Sequence, residues 1–398
     1  MMDIRRLVLR IPGQWEDAWL YRGNLIVWDR HGAIYYVPVD KLRASAIHAS
    51  DRHHGVLADH LVLRSERKSS LEFQDVLAIP SIRREFFSPL KAEPEVVISI
   101  TPTVLRLASI EPIPGNITDT VVYGNRIFAT SDAGVYETQF DSRYDEPSPV
   151  LQVIDAPATA VVAGNGQFAA SLGDLGLISR EVGFGDGDQW IRSAKNASVE
   201  TLAPYSRNVT RSSVHLLNYG VDPIPDFIRA TTRIDRRENG FQESIVTKFH
   251  QPSSLLQSLR GVMSEELTVD EMTAGDRFEV LGNANYRLLV RFGSKVQVLN
   301  LRAFQNQPLR VNQDRRIDVG KMMTRPIRHA MSTQALRSGF LVEHTGGVHI
   351  LNDSGVIELT KELVVQARTF PNSRRYVDTV VLVREECLDL VGFVDLAQ

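Results

Sequence analysis

The chain has 398 residues, 43% of them hydrophobic and 23% charged, which is ample material for a large packed core and excludes disorder as the default state. A formal net charge of −3 supplies no global field for phosphate polymers or anionic lipid, so nucleic acid and membrane surfaces are not the expected partners. The single cysteine, Cys387, excludes an internal disulfide and any multi-cysteine zinc or iron–sulfur centre, and no apolar run reaches the roughly 18 residues that a membrane helix needs.

Taken in chain order, Ile4 to Ile11 alternates as a strand and stops at Pro12-Gly13. Pairing it with the C-terminal residues Leu388 to Val394 would remove an open sheet edge. Charges interrupt the apolar stretch that an export leader requires at this end, and with one cysteine they predict a cytoplasmic protein. Leu25-Ile26-Val27-Trp28 and Ile34-Tyr35-Tyr36-Val37 flank Gly32 as a hairpin. His48, His53, His54 and His60 fall within thirteen residues, but no partner residue completes a metal motif, and Asp51-Arg52-His53-His54-Gly55 reads as an exposed polar turn. His60-Leu61-Val62-Leu63 and Leu71-Glu72-Phe73 read as two strands of a degenerate unit.

The middle of the chain carries the strongest signal. Residues 119–131 and 159–171 share Val-Val, Gly-Asn, Phe-Ala and Ser in register, forty positions apart. That offset is the size of one four-stranded propeller blade. Gly185-Asp186-Gly187-Asp188, close to Asp174, lacks the spacing of a calcium loop and reads as a turn. Asn239-Gly240 is the strongest two-residue hairpin turn in the chain. Residues 250–275 are expected to be a helical insertion, because Leu255, Leu256, Leu259 and Met263 recur at helical spacing as an apolar stripe that would bury against the body or dock on a partner.

Toward the C-terminus, hairpins recur through Gly293 and Gly347. Between them Arg310, Arg315, Arg316, Lys321, Arg325 and Arg328 face only Asp314 and Asp318, an arginine-rich stretch read as a connecting segment and as a candidate site for an anion or an acidic partner. Val380-Val381-Leu382-Val383 and Leu388-Asp389-Leu390-Val391 are two further strands.

The turn glycines Gly32, Gly134, Gly176, Gly293 and Gly347 are 102, 42, 117 and 54 positions apart, so a unit of about 50 leaves one degenerate copy in each long gap. The pattern of Gly-Asn, apolar strand, turn glycine and apolar strand resembles the β-propeller superfamily in general. Trp28-Asp29 occurs once and precedes its glycine, unlike the WD40 dipeptide, and the kelch double glycine does not recur. The resemblance implies an all-β chain, residues 1–398 forming a single propeller of about seven blades, with six and eight as alternatives.

No serine nucleophile elbow, Walker loop or dinucleotide fingerprint is present, and acids flanking Cys387 oppose a thiolate. No catalytic residue, metal or cofactor is therefore assigned. The leading expectation is a non-catalytic interaction scaffold that binds another protein through its loops. The alternatives are a carbohydrate-active enzyme with carboxylates gathered at the propeller axis, and a sensor that takes a small anion or nucleotide on arginines.

Overall fold

In the computed structural model the predicted turn glycines separate antiparallel strands, numbered here along the chain. The structure describes residues 4–63, 71–140, 148–211, 215–236, 242–247, 278–302, 310–317, 330–336 and 339–396, apart from short interruptions at 165, 184, 186, 222–224, 230, 285–286, 293–294, 345, 353–354, 372 and 374. Residues Met1–Ser109 with His329–Gln398 form one compact unit, and Ile110–Arg328 a second.

The first unit holds β1 (Ile4–Pro12), β2 (Trp15–Tyr21), β3 (Asn24–Asp29), β4 (Ile34–Pro38), β5 (Glu95–Ser99) and β6 (Arg106–Leu107). The second runs through β7 (Ile117–Tyr123), β8 (Arg126–Ser131), β9 (Gly134–Gln139), β10 (Leu151–Ile154), β11 (Ala160–Gly164), β12 (Gln167–Ser171), β13 (Leu177–Glu181) and β14 (Val199–Ala203). It continues with β15 (Asn208–Arg211), β16 (His215–Tyr219), β17 (Asp226–Arg229), β18 (Thr231–Arg236), β19 (Gln242–Thr247), β20 (Phe278–Ala284), β21 (Arg287–Phe292), β22 (Lys295–Arg302) and β23 (Arg310–Ile317). The first unit resumes with β24 (Ala330–Leu336), β25 (Gly339–His344), β26 (Gly347–Asn352), β27 (Gly355–Thr360), β28 (Gln366–Thr369), β29 (Val380–Val383) and β30 (Cys387–Asp395).

These strands form up-and-down sheets: β2-β3-β4-β6, β7 to β10, β11 to β14, β20 to β23, β24 to β27, and β28-β29-β30-β1 with β5 added outside β1. The fold is all-β and of the β-propeller class, with six complete blades among the described residues. The three-stranded sheet β15-β16-β17 and the hairpin β18-β19 stand between the third and fourth of the sheets named above in chain order. The second long glycine gap thus holds strands; Asn239-Gly240, which lies between β18 and β19 in the sequence, is outside the described residues. The first long gap holds β5 and β6, but among its described residues they join the sheets of β1 and β4 and form no further unit.

Every turn glycine of the repeat falls between the second and third strand of its sheet: Gly32 between β3 and β4, Gly134 at the start of β9, Gly176 before β13, Gly293 between β21 and β22, Gly347 at the start of β26. Gly176 has φ +95, and a Cβ there would collide with the Ala203 carbonyl oxygen, so this tight link admits only glycine. The second strands are buried on both faces, which is why Leu25-Ile26-Val27-Trp28 reads as a continuous apolar run.

The two ends of the chain close one sheet, as the alternation of Ile4 to Ile11 predicts. β1 pairs antiparallel with β30 over nine residues, from Ile4 opposite Asp395 to Pro12 opposite Cys387. Leu7, Leu9 and Ile11 enter one buried cluster with Leu388 and Leu390, while Val8 and Val391 enter another on the opposite face.

Residues 60–63 and 71–73 are helical, not strands. The chain between β4 and β5 is helical: α1 (Val39–Ala49), α2 (Arg52–Ala58), a π-helical turn Asp59–Leu63, α3 (Leu71–Ala78) and α4 (Pro80–Phe86). Val39, Leu42 and Ala46 give α1 a buried stripe at helical spacing. Asp51 is not part of an exposed turn but the N-cap of α2, its Oδ1 accepting from the backbone N–H of His53 and His54 at 2.9 Å. Short apolar runs do not distinguish strand from helix by themselves, and here the cap and the packing decide. Gly392 on β30 admits the π turn, because a Cβ would lie 2.5 Å from the Leu61 carbonyl oxygen. The helical insertion expected at 250–275 lies outside the described residues.

Candidate functional site

Polar residues on several first strands find their partners on the neighbouring sheet. In the second unit Thr118 donates to the Ala158 carbonyl at 2.7 Å, Asp119 Oδ2 accepts from the Val161 N–H at 2.8 Å, and Thr210 donates to Asn283 Oδ1 at 2.6 Å. In the first unit Gln334 of β24 donates to the Ala367 carbonyl of β28 and accepts from the Thr369 N–H at 2.8 Å. A buried polar group must find a partner, and these strands meet that need across the gap between sheets.

The densest such cluster surrounds Arg368 on β28. Its Nε and one terminal nitrogen hold both oxygens of Asp17 on β2 at 3.0 and 2.6 Å, and both side chains are buried. The guanidinium lies 5.4 Å from the centre of the Trp19 ring, which in turn meets Phe370 edge-on at 5.6 Å. The strand alternation places Asp17 and Trp19 on the same face of β2, so one strand presents both the counter-ion and the aromatic plate. Glu343 on β25 completes the group. Burial pushes its carboxyl from the ordinary 4.5 up to about 7, and the Arg368 charge offsets only part of that. Asp17 thus takes Arg368 bidentately, while Glu343 holds its proton close to neutrality and could release or donate one there.

A second buried carboxylate, Glu137 on β9, accepts from Trp190 Nε1 at 2.9 Å and from the Gly183 N–H at 3.3 Å. Trp190 belongs to α5 (Gly187–Asn196), and the Arg126 guanidinium sits 5.3 Å from its ring centre and donates to the Gly185 carbonyl. Burial raises the Glu137 carboxyl and lowers the nearby Arg180 guanidinium. The Gly185 loop read from sequence as a turn therefore precedes α5 and latches it to the sheet. In the closing sheet Asp389 of β30 accepts from Arg10 of β1 at 2.7 and 2.8 Å and pairs with Arg384 at 3.0 Å. Burial, and then the Asp389 charge, push the Cys387 thiol up, so this cysteine is held in the unreactive form.

The arginine-rich stretch differs from its sequence reading. Arg310, Arg315 and Arg316 lie on β23, the fourth strand of its sheet, rather than on a connecting loop, since the alternation of Val311 and Ile317 with polar residues suits an outer strand. Lys321, Arg325 and Arg328 lie outside the described residues, as do Leu255, Leu256, Leu259 and Met263. The four histidines are not gathered: no group of metal ligands occurs among the described residues. Gly282-Asn283 sits on β20 beside a register shift, where Asn283 is buried and bonded to Thr210. The Arg368 cluster escaped sequence reasoning altogether because Asp17, Glu343 and Arg368 are far apart in the chain, and only the Trp-Glu-Asp run of β2 hinted at a polar inner strand.

No protein-family model matches the chain, and no curated protein matches it. Among solved structures it is similar to the β-propeller domain of Cps50 (Swd1) from Myceliophteria thermophila, with 10% identity and a TM-score of 0.48 over 96% of each chain. It is also similar to virginiamycin B lyase from Staphylococcus aureus, with 10% identity and a TM-score of 0.48 over 98% of this chain and 100% of that one. The N-terminal domain of Nup159 follows at 12% identity and a TM-score of 0.42, over 96% of this chain and 90% of that one. The fold assignment itself stands on the strand pairing of this chain.

Proposed function

We propose that this chain is a non-catalytic recognition module that binds another protein in the cytoplasm, with the helical insertion between β4 and β5 as its contact surface. The observation that carries this reading is α4, a helix that buries none of its own residues. Val76 at the end of α3, Ile79 at the extended N-cap that joins the two helices and Ile82 on α4 are exposed to 43%, 47% and 39%. Exposed large apolar side chains grouped this closely along the chain are the kind of surface that partner docking covers. Two of the buried or half-buried carboxylates serve structure: Asp17 is held by Arg368, and Asp119 by the Val161 and Thr120 backbone N–H groups. The test is the double change Ile79→Ser with Ile82→Ser, followed by co-purification from the native cell and by thermal melting. The module reading requires a normal melt with loss of a partner that the unchanged chain retains. Retention of every partner by the double variant would refute it.

A further inference from the structure

The β24 to β27 sheet buries two histidines against each other beside the link that joins β25 to β26. His344 ends β25 and is opposite Gly347, the first residue of β26; His349 is opposite Val342 of β25 and, on its other side, Glu358 of β27. Residues opposite in antiparallel strands share a face, as do residues two apart along a strand, so His344, His349 and Glu358 lie on one face. Both imidazoles are buried, and they stack with centroids 4.7 Å apart and planes inclined by 25°. His344 Nε2 lies 2.8 Å from His349 Nδ1, the Gly346 N–H donates to His344 Nδ1 at 2.9 Å, and His349 Nε2 faces Glu358 Oε2 at 3.9 Å.

A backbone N–H can only donate, and here it fixes both tautomers. His344 Nδ1 accepts from Gly346, which places the His344 proton on Nε2; His349 Nδ1 accepts that proton's bond, which leaves the His349 proton on Nε2, toward Glu358. A further proton finds no free nitrogen. On His349 Nδ1 it would confront the His344 N–H, and on His344 Nδ1 it would confront the Gly346 N–H, so its uptake breaks one of the two hydrogen bonds that tie the pair to the link. Burial holds the His349 imidazole below its ordinary 6.5, and the Glu358 charge offsets only part of that. The other oxygen of Glu358 is shared with Lys361, 3.8 Å away. Glu343, the residue between Val342 and His344 on β25, lies on the opposite face, where Arg368 acts on it. Gly347 carries the link against the end of β27: at φ +121, a Cβ there would collide with the Thr360 carbonyl oxygen. We propose that the His344 and His349 pair is a proton-sensitive clasp, which holds the β25 to β26 link closed while both rings are neutral and opens it on uptake of a proton.

The test is amide hydrogen exchange of the full chain, read by mass spectrometry between about pH 7.5 and 5.5, with each rate corrected for the intrinsic rate at that pH. A lowered imidazole stabilises the closed link fully above about pH 6.5 and loses that effect as pH falls through the folded value, so opening should grow by up to about tenfold per pH unit. Peptides spanning 339–352 are expected to lose protection over this range. Peptides spanning 167–181, the β12 to β13 hairpin, contain no histidine and should keep theirs. His344→Asn, whose amide oxygen can still accept from Gly346 while His349 titrates freely, should leave the link closed at the acid end. His344→Asn with His349→Asn removes both titrating rings and should abolish the pH dependence; the single change carries the test if the double one does not fold. Glu343 cannot imitate the effect, because its contribution is lost as pH rises rather than as it falls. Protection of 339–352 that ignores pH in the unchanged chain, or a pH dependence that survives in the variants, would overturn the clasp.

Discussion

Phe128 and Phe168, forty positions apart in the chain, stack on each other with ring centroids 4.8 Å apart and planes inclined by 32°. They are the same residue of two successive repeats, on the second strands β8 and β12, and both are fully buried. Their cross-strand partners are Glu137 and Arg180, so the stack is accompanied by an opposite-charge pair at equivalent positions of the two sheets.

Removing either ring should therefore weaken both sheets. Phe128→Ala and Phe168→Ala are each expected to cost about 3–5 kcal/mol, and the double change less than the sum, because one cavity is shared. Denaturant unfolding of the two single variants and the double variant measures this coupling. Strict additivity would show that the rings do not support each other.

Closure by β1 gives a second expectation. Asp389 is buried and held by Arg10, so Arg10→Met should strand part of a buried charge and cost several kcal/mol, up to about 3–5 if Arg384 cannot compensate. Deleting residues 1–11 should lower the melting temperature by considerably more, since Leu7, Leu9 and Ile11 leave the core with it. An unchanged melt after the deletion would contradict closure.

Glu343 sets a pH dependence with a definite sign. Its folded carboxyl titrates at about 7 against an ordinary 4.5, so the folded chain keeps a proton that the unfolded chain has released. This group's contribution to stability is complete below about pH 4.5, falls as pH rises to about 7, and is lost above that, by at most about 3 kcal/mol. Glu343→Gln should flatten the curve across this window relative to the unchanged chain. Parallel pH curves for the two proteins would place the carboxyl at its ordinary value.

Two glycines of positive φ should respond differently to alanine. Gly124 has φ +59, and a Cβ added there would meet nothing within 4 Å, so Gly124→Ala should cost only the left-handed backbone strain, about 1–2 kcal/mol. Gly176→Ala adds a collision with the Ala203 carbonyl oxygen to φ +95 and should cost distinctly more. Thermal melts of the two variants compare them directly, and equal losses would mean that the β12 to β13 link relaxes freely.

The strands, the turn glycines and the pairing of the chain ends were legible in the sequence, because each depends on local alternation or on a backbone conformation that few residues adopt. Register was less so. The repeat aligns Gly124-Asn125 with Gly164-Asn165, yet Tyr123 pairs with Arg126 in the first hairpin and Gly164 with Gln167 in the second, so the pairing of the second is offset by one residue from the repeat. His60–Leu63 and Leu71–Phe73 were misread as strands because short apolar runs carry no period, and the burial of Leu61, Val62 and Leu63 in the cluster of the closing sheet is a feature of the tertiary structure. The ties that join sheets, Asp17 to Arg368, Thr210 to Asn283 and Phe128 to Phe168, were settled by tertiary structure alone. A residue's cross-sheet neighbour depends on how whole blades abut, and that information is spread over the entire chain rather than held in any local stretch of it.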